Sequence, residues 1–360
     1  MEEIKEKIGI FILNYNGLIW LRESIPNIIK YSTNNDIILI DNQSSDESVN
    51  FIKKQFPQIQ IKINKQNYGF SKGYNKVLLS ETKYDYFIIM NNDVQVSPNW
   101  IQPLLTTIKQ EGAHIVQPKI KNIKIEYTQK NNQKNYIKTN TFDYAGGSGG
   151  FLDIMGIPFC RGRIINTIEK DIGQYDQNQR IFWASGCCFM ISKKTFQELN
   201  GFDNDFFMHH EEIDLCWRAQ KNNQKIFCCP ESTVFHFGGG TMQYNDPLKH
   251  YYNHRNSLLL LVKNMCFKSL IVTLIPRILI DYIIILFYTI KGSFLVIKKG
   301  DFNLLKAPLF IFMAHICFLL LLPRFLYKRK PITTNFLYPK SILIEYFLRG
   351  KKKFSDLKKF

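Results

Sequence analysis

Four strand-like runs in the first 96 residues, three of them apolar and the third in order alternating, each end in amides or a carboxylate: "IGIFILNYNG", "DIILIDNQSS", "IQIKINKQN" and "YDYFIIMNND". Segments with helical spacing separate them, "LIWLRESIPNIIKYS", "SVNFIKKQF" and "YGFSKGYNKVLL". Short runs that are apolar throughout suit strands buried on both faces, which are the strands of parallel sheets. Strand and helix alternating at this spacing predict an α/β fold: a Rossmann-like, mostly parallel sheet flanked by helices. Ligands of such sheets bind beyond the carboxyl ends of the strands. Asn14, Asn16, Asp41, Asn67 and Asp93 fall at those ends. Any one of them is explained by turn chemistry, because Asn and Asp side chains bond their own backbone. Four strand ends converging on one sheet edge point to a ligand site.

Charge divides the chain. The whole carries +17, yet residues 249–360 hold 20 Lys/Arg against 4 Asp/Glu. The basicity is therefore C-terminal, and it alternates with the apolar stretches "SLIVTLIPRILIDYIIILFYTI" and "LLKAPLFIFMAHICFLLLLP". That interleaving favours an anionic membrane surface over nucleic acid. Both stretches are near spanning length, but Arg277, Asp281, Lys306 and His315 lie inside them. A charge within a span costs about 3 kcal/mol, a cost avoided by lying in the interface. A two-span hairpin, monotopic helices and a soluble helical subdomain all fit. The eight cysteines form no CxxC pair, which reads as reduced, buried thiols in a cytosolic compartment. The start "MEEIKEKIGIFIL" is acidic and lacks the pattern of a signal peptide.

The expected organisation is a catalytic domain over 1–262 and a basic, apolar helical region over 263–360 that associates with a membrane. Within the first, 1–120 form a nucleotide half, 121–180 an insertion of flexible loop, and 181–262 an acceptor half. The insertion contains "AGGSGG", a plain linker or a hinge, with Arg161 and Arg163 nearby as phosphate-binding cations. "IFWASGCCFMISKKTFQEL" predicts a strand and a helix, and "IFCCPESTVFHFGGG" a strand pair ending near His236.

Two constellations carry chemistry. A nucleoside diphosphate leaving group concentrates negative charge, and a hard divalent ion, Mg2+ or Mn2+, neutralises it using carboxylate and phosphate oxygens. Asp93 on a rigid strand end suits that ion, with Asn91 at the ribose or on a metal-bound water. In "HHEEIDLCWR", Glu211, Glu212 and Asp214 open a helix. Acids in a first turn complement the helix dipole. A carboxylate among apolar and like-charged neighbours also serves as a general base for an acceptor hydroxyl.

The ordered set "ILNYNG", "LIDNQSSD", "NYGFSKGYN", "NNDV", "ASGCCFMISKKTF", "GFDNDFFMHHEEIDLCWR" and "HFGGGT" resembles the family 2 glycosyltransferases, especially the rhamnosyltransferase-like branch of bacterial surface-polysaccharide synthesis. The resemblance covers roughly residues 8–262 and implies a GT-A fold and inverting, metal-dependent transfer from a nucleotide diphosphate sugar. It places Asn14, Asn16 and Asp41 at the base and ribose, and Asn67, Gly69 and Asn75 in the nucleotide pocket. Asp93 takes the metal position and Glu212 the base position, while Gly186, Glu211, Asp214 and Trp217 fall on the acceptor side. His236 corresponds to a C-terminal metal or diphosphate ligand in some members, and a structural histidine is the alternative. Two departures stand out: Asn91 replaces the first carboxylate of the DxD-like motif, and the base is Glu where the family has Asp. The basic, apolar C-terminal third places the site near a membrane and points to a lipid-linked glycan acceptor at the cytoplasmic face of the bacterial plasma membrane. A non-catalytic sugar-binding module and a processive synthase are the alternative functions.

Overall fold

The computed structural model describes residues 6–127, 134–238, 246–299, 303–331 and 336–357. Gly239, Gly240 and Thr241 of the "HFGGGT" motif lie outside the described residues. The first half alternates as its pattern predicts: β1 (Ile8–Asn14), α1 (Leu18–Tyr31), β2 (Asp36–Asp41), α2 (Ser48–Gln55), β3 (Gln60–Ile63), α3 (Gly69–Leu78) and β4 (Tyr86–Asn91). Then come β5 (Val94–Val96), α4 (Ile101–Glu111), β6 (Ile115–Tyr127), β7 (Lys134–Phe142) and the short strands β8 (Gly150–Leu152), β9 (Pro158–Cys160), β10 (Arg163–Ile164), β11 (Thr167–Ile168) and β12 (Gln179–Arg180). The rest is β13 (Cys188–Ser192), α5 (Lys193–Glu198), α6 (Glu211–Lys221), β14 (Ile226–His236), α7 (Pro247–Asn264), α8 (Phe267–Lys299) and α9 (Asn303–Tyr327).

The central sheet runs β12-β14-β6-β13-β4-β1-β2-β3. Strands β4, β1, β2 and β3 are mutually parallel, as is the β6–β14 pair, and β13 is antiparallel between β4 and β6. Successive residues of β1 feed opposite faces. Ile10 and Ile12 enter the core under α1 and α4, and Phe11 enters the one shared with α3, α6 and α7. Each such fully buried side chain contributes about 1.5–3 kcal/mol, so register is firmly held. In that register Asn14 lies beside Asp41 and Leu13 beside Asn91, which brings the polar strand ends to one edge.

Three expectations need correction. Residues 121–180 are not mainly loop: β6 and β7 form a long hairpin, and β8–β11 form a separate small sheet. Alternating Ile and Lys in "KIKNIKIEY" has the period of a strand, and Ile120 and Ile123 turn inward. "IFCCPESTVFH" is one strand rather than a pair. β14 follows β6 in parallel across a bulge between Cys229 and Thr233. Pro230 has no N–H for the ladder, and the bulge absorbs it. Beyond the bulge, His236 pairs in register with Val94 of β5, and this sets it next to Asp93. The third correction is the boundary at 262/263, which falls inside α7.

The C-terminal helices form a hairpin packed on α7 and tied by charge to the catalytic domain. Lys328 reaches Asp203 at 2.5 Å and Asp205 at 2.7 Å, and Arg324 reaches Asp205 at 2.6 Å. Two of the terminal basic residues, Lys328 and Arg329, thus bind protein rather than standing free for a lipid surface, since Arg329 donates to the carbonyls of Val262 and Met265. The opposite face is apolar and open: Leu279, Ile283, Leu286, Phe287, Ile290 and Phe294 are each more than half exposed. Both helices are long and apolar enough to cross a membrane.

Candidate active site

A cleft of about 610 Å³ lies at the carboxyl edge of the parallel strands, within the size range of small-molecule sites. Its floor is an amide network. Asn14 donates to Asp41 at 2.9 Å and accepts from Asn92 at 2.8 Å. Asn42 donates to the Gly69 carbonyl at 2.9 Å and to Asn67 at 3.3 Å, and accepts from Asn64 at 2.8 Å. Gly69 is required here. Its φ is +71°, and a Cβ would sit 2.4 Å from the Phe207 carbonyl oxygen. The close approach lets Phe70 N–H donate to that carbonyl, joining the start of α3 to the loop before α6.

Within the cleft, Asp93 and His236 are both buried. Asp93 Oδ1 makes no hydrogen bond among the described residues, and His236 Nε2 stands 3.3 Å from it. The other ring nitrogen, Nδ1, lies 3.1 Å from Asp143 Oδ1. Burial opposes the imidazolium, but the Cys187 sulfur and the Asp93 and Asp143 carboxylates outweigh it, so the His236 pKa stands well above the ordinary value. An orphaned carboxylate oxygen beside an imidazole fits a divalent ion completed by phosphate oxygens. Asp143 sits on the far side of the ring, and no three His, Cys, Asp or Glu among the described residues surround one point. Its place is that of a carboxylate orienting a ligating histidine. Sequence reasoning missed it because "TFDYAGG" resembles a turn.

Glu211 and Glu212 line the same cleft. Their Oε2 atoms have no hydrogen-bond partner among the described residues. Burial, and for Glu211 also the charge of Glu212, raises both carboxyls: Glu211 well above its ordinary range and Glu212 to about 7. Glu212 keeps part of its surface on the cleft, and hydrogen bonds from the Glu212 and Ile213 backbone N–H groups limit the shift. Gly186 faces it, since a Cβ on Gly186 would lie 3.9 Å from Glu212 Cβ and 3.2 Å from the Phe70 ring. The backbone leading into α6 is strained. His209 and His210 have φ of +65° and +71°, a region that costs non-glycine residues about 1–3 kcal/mol each. Asn256 of α7, fully buried, holds this turn by donating to the carbonyls of Met208 and His209 at 2.8 and 2.7 Å.

Of the residues singled out in the sequence, Asn14, Asn67, Gly69, Asn91, Asp93, Arg163, Gly186, Glu211, Glu212 and His236 line this one cleft. Six do not. Asp41 is buried and accepts from Asn14 and from Ser44 N–H and hydroxyl. Asn16 caps the loop at Ser45, 2.7 Å away. Asn75 bonds Phe202 and Asn204, fastening the loop before α6 to α3. Arg161 turns inward to the Ser148 carbonyl at 2.6 Å. Asp214 is fully buried between Arg218 and Lys263 at 2.8 Å each. Trp217 is fully buried, edge-on to Phe182. Helical periodicity explains the last two: with Glu212 on the cleft, positions two and five residues on fall away from it. Tyr15, Asn42, Tyr144 and Lys249, which the sequence did not single out, also line the cleft.

The family and the fold are shown by similarity to known proteins. Residues 9–199 match the family described as glycosyl transferase family 2. The chain is 25% identical over 235 residues to the low-salt glycan biosynthesis hexosyltransferase Agl10 of Haloferax volcanii, covering 64% of this chain and 67% of that protein. It is 23% identical over 233 residues to the N-acetylglucosaminyl-diphospho-decaprenol L-rhamnosyltransferase of Mycobacterium tuberculosis, covering 61% and 72%. The crystal structure of GalNAc-T7 with UDP, GalNAc and Mn2+ superposes with a TM-score of 0.55 at 18% identity, over 72% of this chain and 48% of that one. The chain thus spans about half of that protein, and the likeness shows the fold.

Proposed function

The chain belongs to glycosyltransferase family 2 and has the GT-A fold; we propose that it transfers a sugar, with inversion, from a nucleoside diphosphate sugar to a hydroxyl of a lipid-linked glycan. The single observation carrying this reading is one cleft lined both by Asp93 and His236 and by the raised carboxyl of Glu212, which Gly186 faces. The amides of Asn14, Asn42 and Asn67 line the nucleotide side. Arg163 and Lys249 flank Tyr144, 6.0 and 4.8 Å from its ring centroid, and that ring lies 6.2 Å from His236. These cations therefore suit the donor diphosphate.

Asp93 and His236 are the residues to hold a divalent ion, which when bound supplies positive charge against the leaving diphosphate. Glu212, ionised near neutral pH, accepts the proton of the acceptor hydroxyl as it attacks the anomeric carbon opposite the diphosphate. Burial and the charge of Glu212 raise the Glu211 carboxyl beside it, which disfavours a second negative charge there. The small Gly186 leaves room for the acceptor.

The lipid link is supported by the apolar helix α8, which lines the cleft through Ile280 and Ile284, and by the acceptor named for the mycobacterial relative. The exposed apolar face of the hairpin supports docking to the cytoplasmic face of a bacterial plasma membrane. A screen of nucleoside diphosphate sugars for Mn2+- or Mg2+-dependent nucleotide release by the full chain tests the reading. Release from one donor that rises with lipid-linked acceptor supports it. Sugar binding without release from any donor overturns it in favour of a binding module.

A further inference from the structure

Two helices that do not belong to the family-matched segment wall the cleft on the acceptor side. α7 turns Asn253, His254 and Ser257 to it, and α8 turns Arg277, Ile280, Ile284 and Tyr288. The α8 positions follow one helical face over 11 residues, about 16 Å of stripe. Its beginning is cationic and its continuation is mostly apolar.

Arg277 is the unusual member. An arginine in so apolar a helix costs about 3 kcal/mol on insertion scales, and such residues face protein interiors and mark ligand pathways. Here it is more than nine-tenths buried and lines the cleft. One guanidinium nitrogen, Nη2, donates to Ser257 Oγ at 3.1 Å, and Nη1 stands a long 3.9 Å from Asp281 Oδ1. Nε is buried without a partner among the described residues. Asp281 is engaged more closely elsewhere, by His254 Nδ1 at 2.9 Å and His315 Nε2 at 3.0 Å. One carboxylate is thus shared by three basic groups, and Arg277 holds the weakest share.

Arg163 and Lys249 gather around Tyr144 beside His236. Arg277 instead donates to Ser257, the neighbour in α7 of Asn256, which holds the Met208 and His209 carbonyls at the entry to α6, and His254 lies one turn earlier on α7. The cluster thus adjoins the turn that leads into Glu211 and Glu212.

We propose that Arg277, with His254, binds the phosphate through which the acceptor glycan is joined to its lipid, and that Ile280, Ile284 and Tyr288 take the first isoprenoid-like units of that lipid. The proposal rests on the lipid-linked acceptor of the preceding section and names the residues that recognise it. An under-paired guanidinium makes charge-assisted bonds to phosphate, and the apolar stripe continues from it toward the open face of the hairpin.

The test uses the full chain in detergent with UDP and Mn2+ in excess, so that the donor diphosphate site is filled, and measures binding of farnesyl diphosphate, inorganic diphosphate and farnesol. Farnesyl diphosphate is expected to bind wild type at least ~10-fold more tightly than either half-probe. Arg277→Gln should weaken it ~10–100-fold, the range of one charged hydrogen-bonded contact, with Arg277→Lys between and UDP affinity unchanged. Where Arg277→Gln loses UDP binding and so has not folded, His254→Gln on α7 carries the same expectation. Wild-type binding that the folded variants leave unaltered overturns the Arg277 site and leaves the lipid-linked reading standing. No binding of farnesyl diphosphate to wild type overturns both. Inorganic diphosphate binding as tightly as farnesyl diphosphate overturns the lipid assignment.

Discussion

His236 presents Nε2 to Asp93 Oδ1 at 3.3 Å, and its orientation is held from behind by Asp143 Oδ1, 3.1 Å from Nδ1. A donated Nδ1–H fixes which nitrogen is free for an ion. Asp143→Asn should therefore reduce Mn2+ affinity about 10–100-fold, read by electron paramagnetic resonance of free Mn2+ without turnover. Asp93→Ala should abolish Mn2+-dependent binding of the nucleoside diphosphate. Unchanged Mn2+ affinity in Asp143→Asn would mean that Asp143 merely fills space behind the ring.

Glu212→Gln should cut turnover about 10²–10⁴-fold, the usual contribution of a general base, with donor affinity retained. The pH profile carries a sign. A base works only when ionised, so kcat/KM should rise with pH through an apparent pKa near 7 and level off above it. Two carboxyls share the site, so the limb belongs to the Glu211–Glu212 pair. A profile already flat from pH 5 upward would remove Glu212 from the role.

Asn256→Ala should lower kcat while leaving donor affinity alone. Without its two bonds to the 208 and 209 carbonyls, the left-handed pair His209–His210 is free to relax, and the acidic pair moves with it. About 1 Å of misplacement costs on the order of 10²-fold. Glycine at 210 in the same background adopts positive φ without strain, so an Asn256→Ala/His210→Gly double variant should recover part of the loss. No recovery, with a lower Tm, would mark Asn256 as a packing residue only.

Acid should detach the helical hairpin from the catalytic domain. Burial alone would raise the Asp203 carboxyl, but Lys263 at 2.7 Å and Lys328 at 2.5 Å hold it far below the usual range. A depressed folded pKa contributes stability above the unfolded value, about 3.9, and that stability is lost as pH falls through the folded one. Asp203→Asn should cost about 3–5 kcal/mol at pH 7, as for a broken buried pair, and flatten the stability profile below pH 4. Urea unfolding at pH 7 and pH 3 gives both numbers. An equal loss at the two pH values would contradict the ion-pair origin.

The alternation of the first strands and helices and their polar edge, with Asp93 on it, were legible in the sequence, because local patterning carries them. Period-two and fully apolar runs set strands, register follows burial, and strand ends must share an edge. The places of Glu212 and His236 came from the family resemblance. Strand ends and resemblance together also picked Asp41, Asn75, Asp214 and Trp217, which lie behind the cleft rather than in it. Only the tertiary structure decides between a polar group that faces a ligand and one that bonds its neighbours, since both occupy the same motif. Asp143, Asn256 and Arg277 show the converse. Asp143 and Asn256 come from segments without a local signal, Arg277 stands out in the sequence only as a charge in an apolar stretch, and each gains its role from contacts made 20 to 93 residues away. The bulge at Cys229–Thr233 belongs with them: it shifts the register of one strand and thereby sets His236 beside Val94, next to Asp93. Local chemistry along the chain determined which groups were available; long-range packing, through register, helix facing and burial, determined which of them meet.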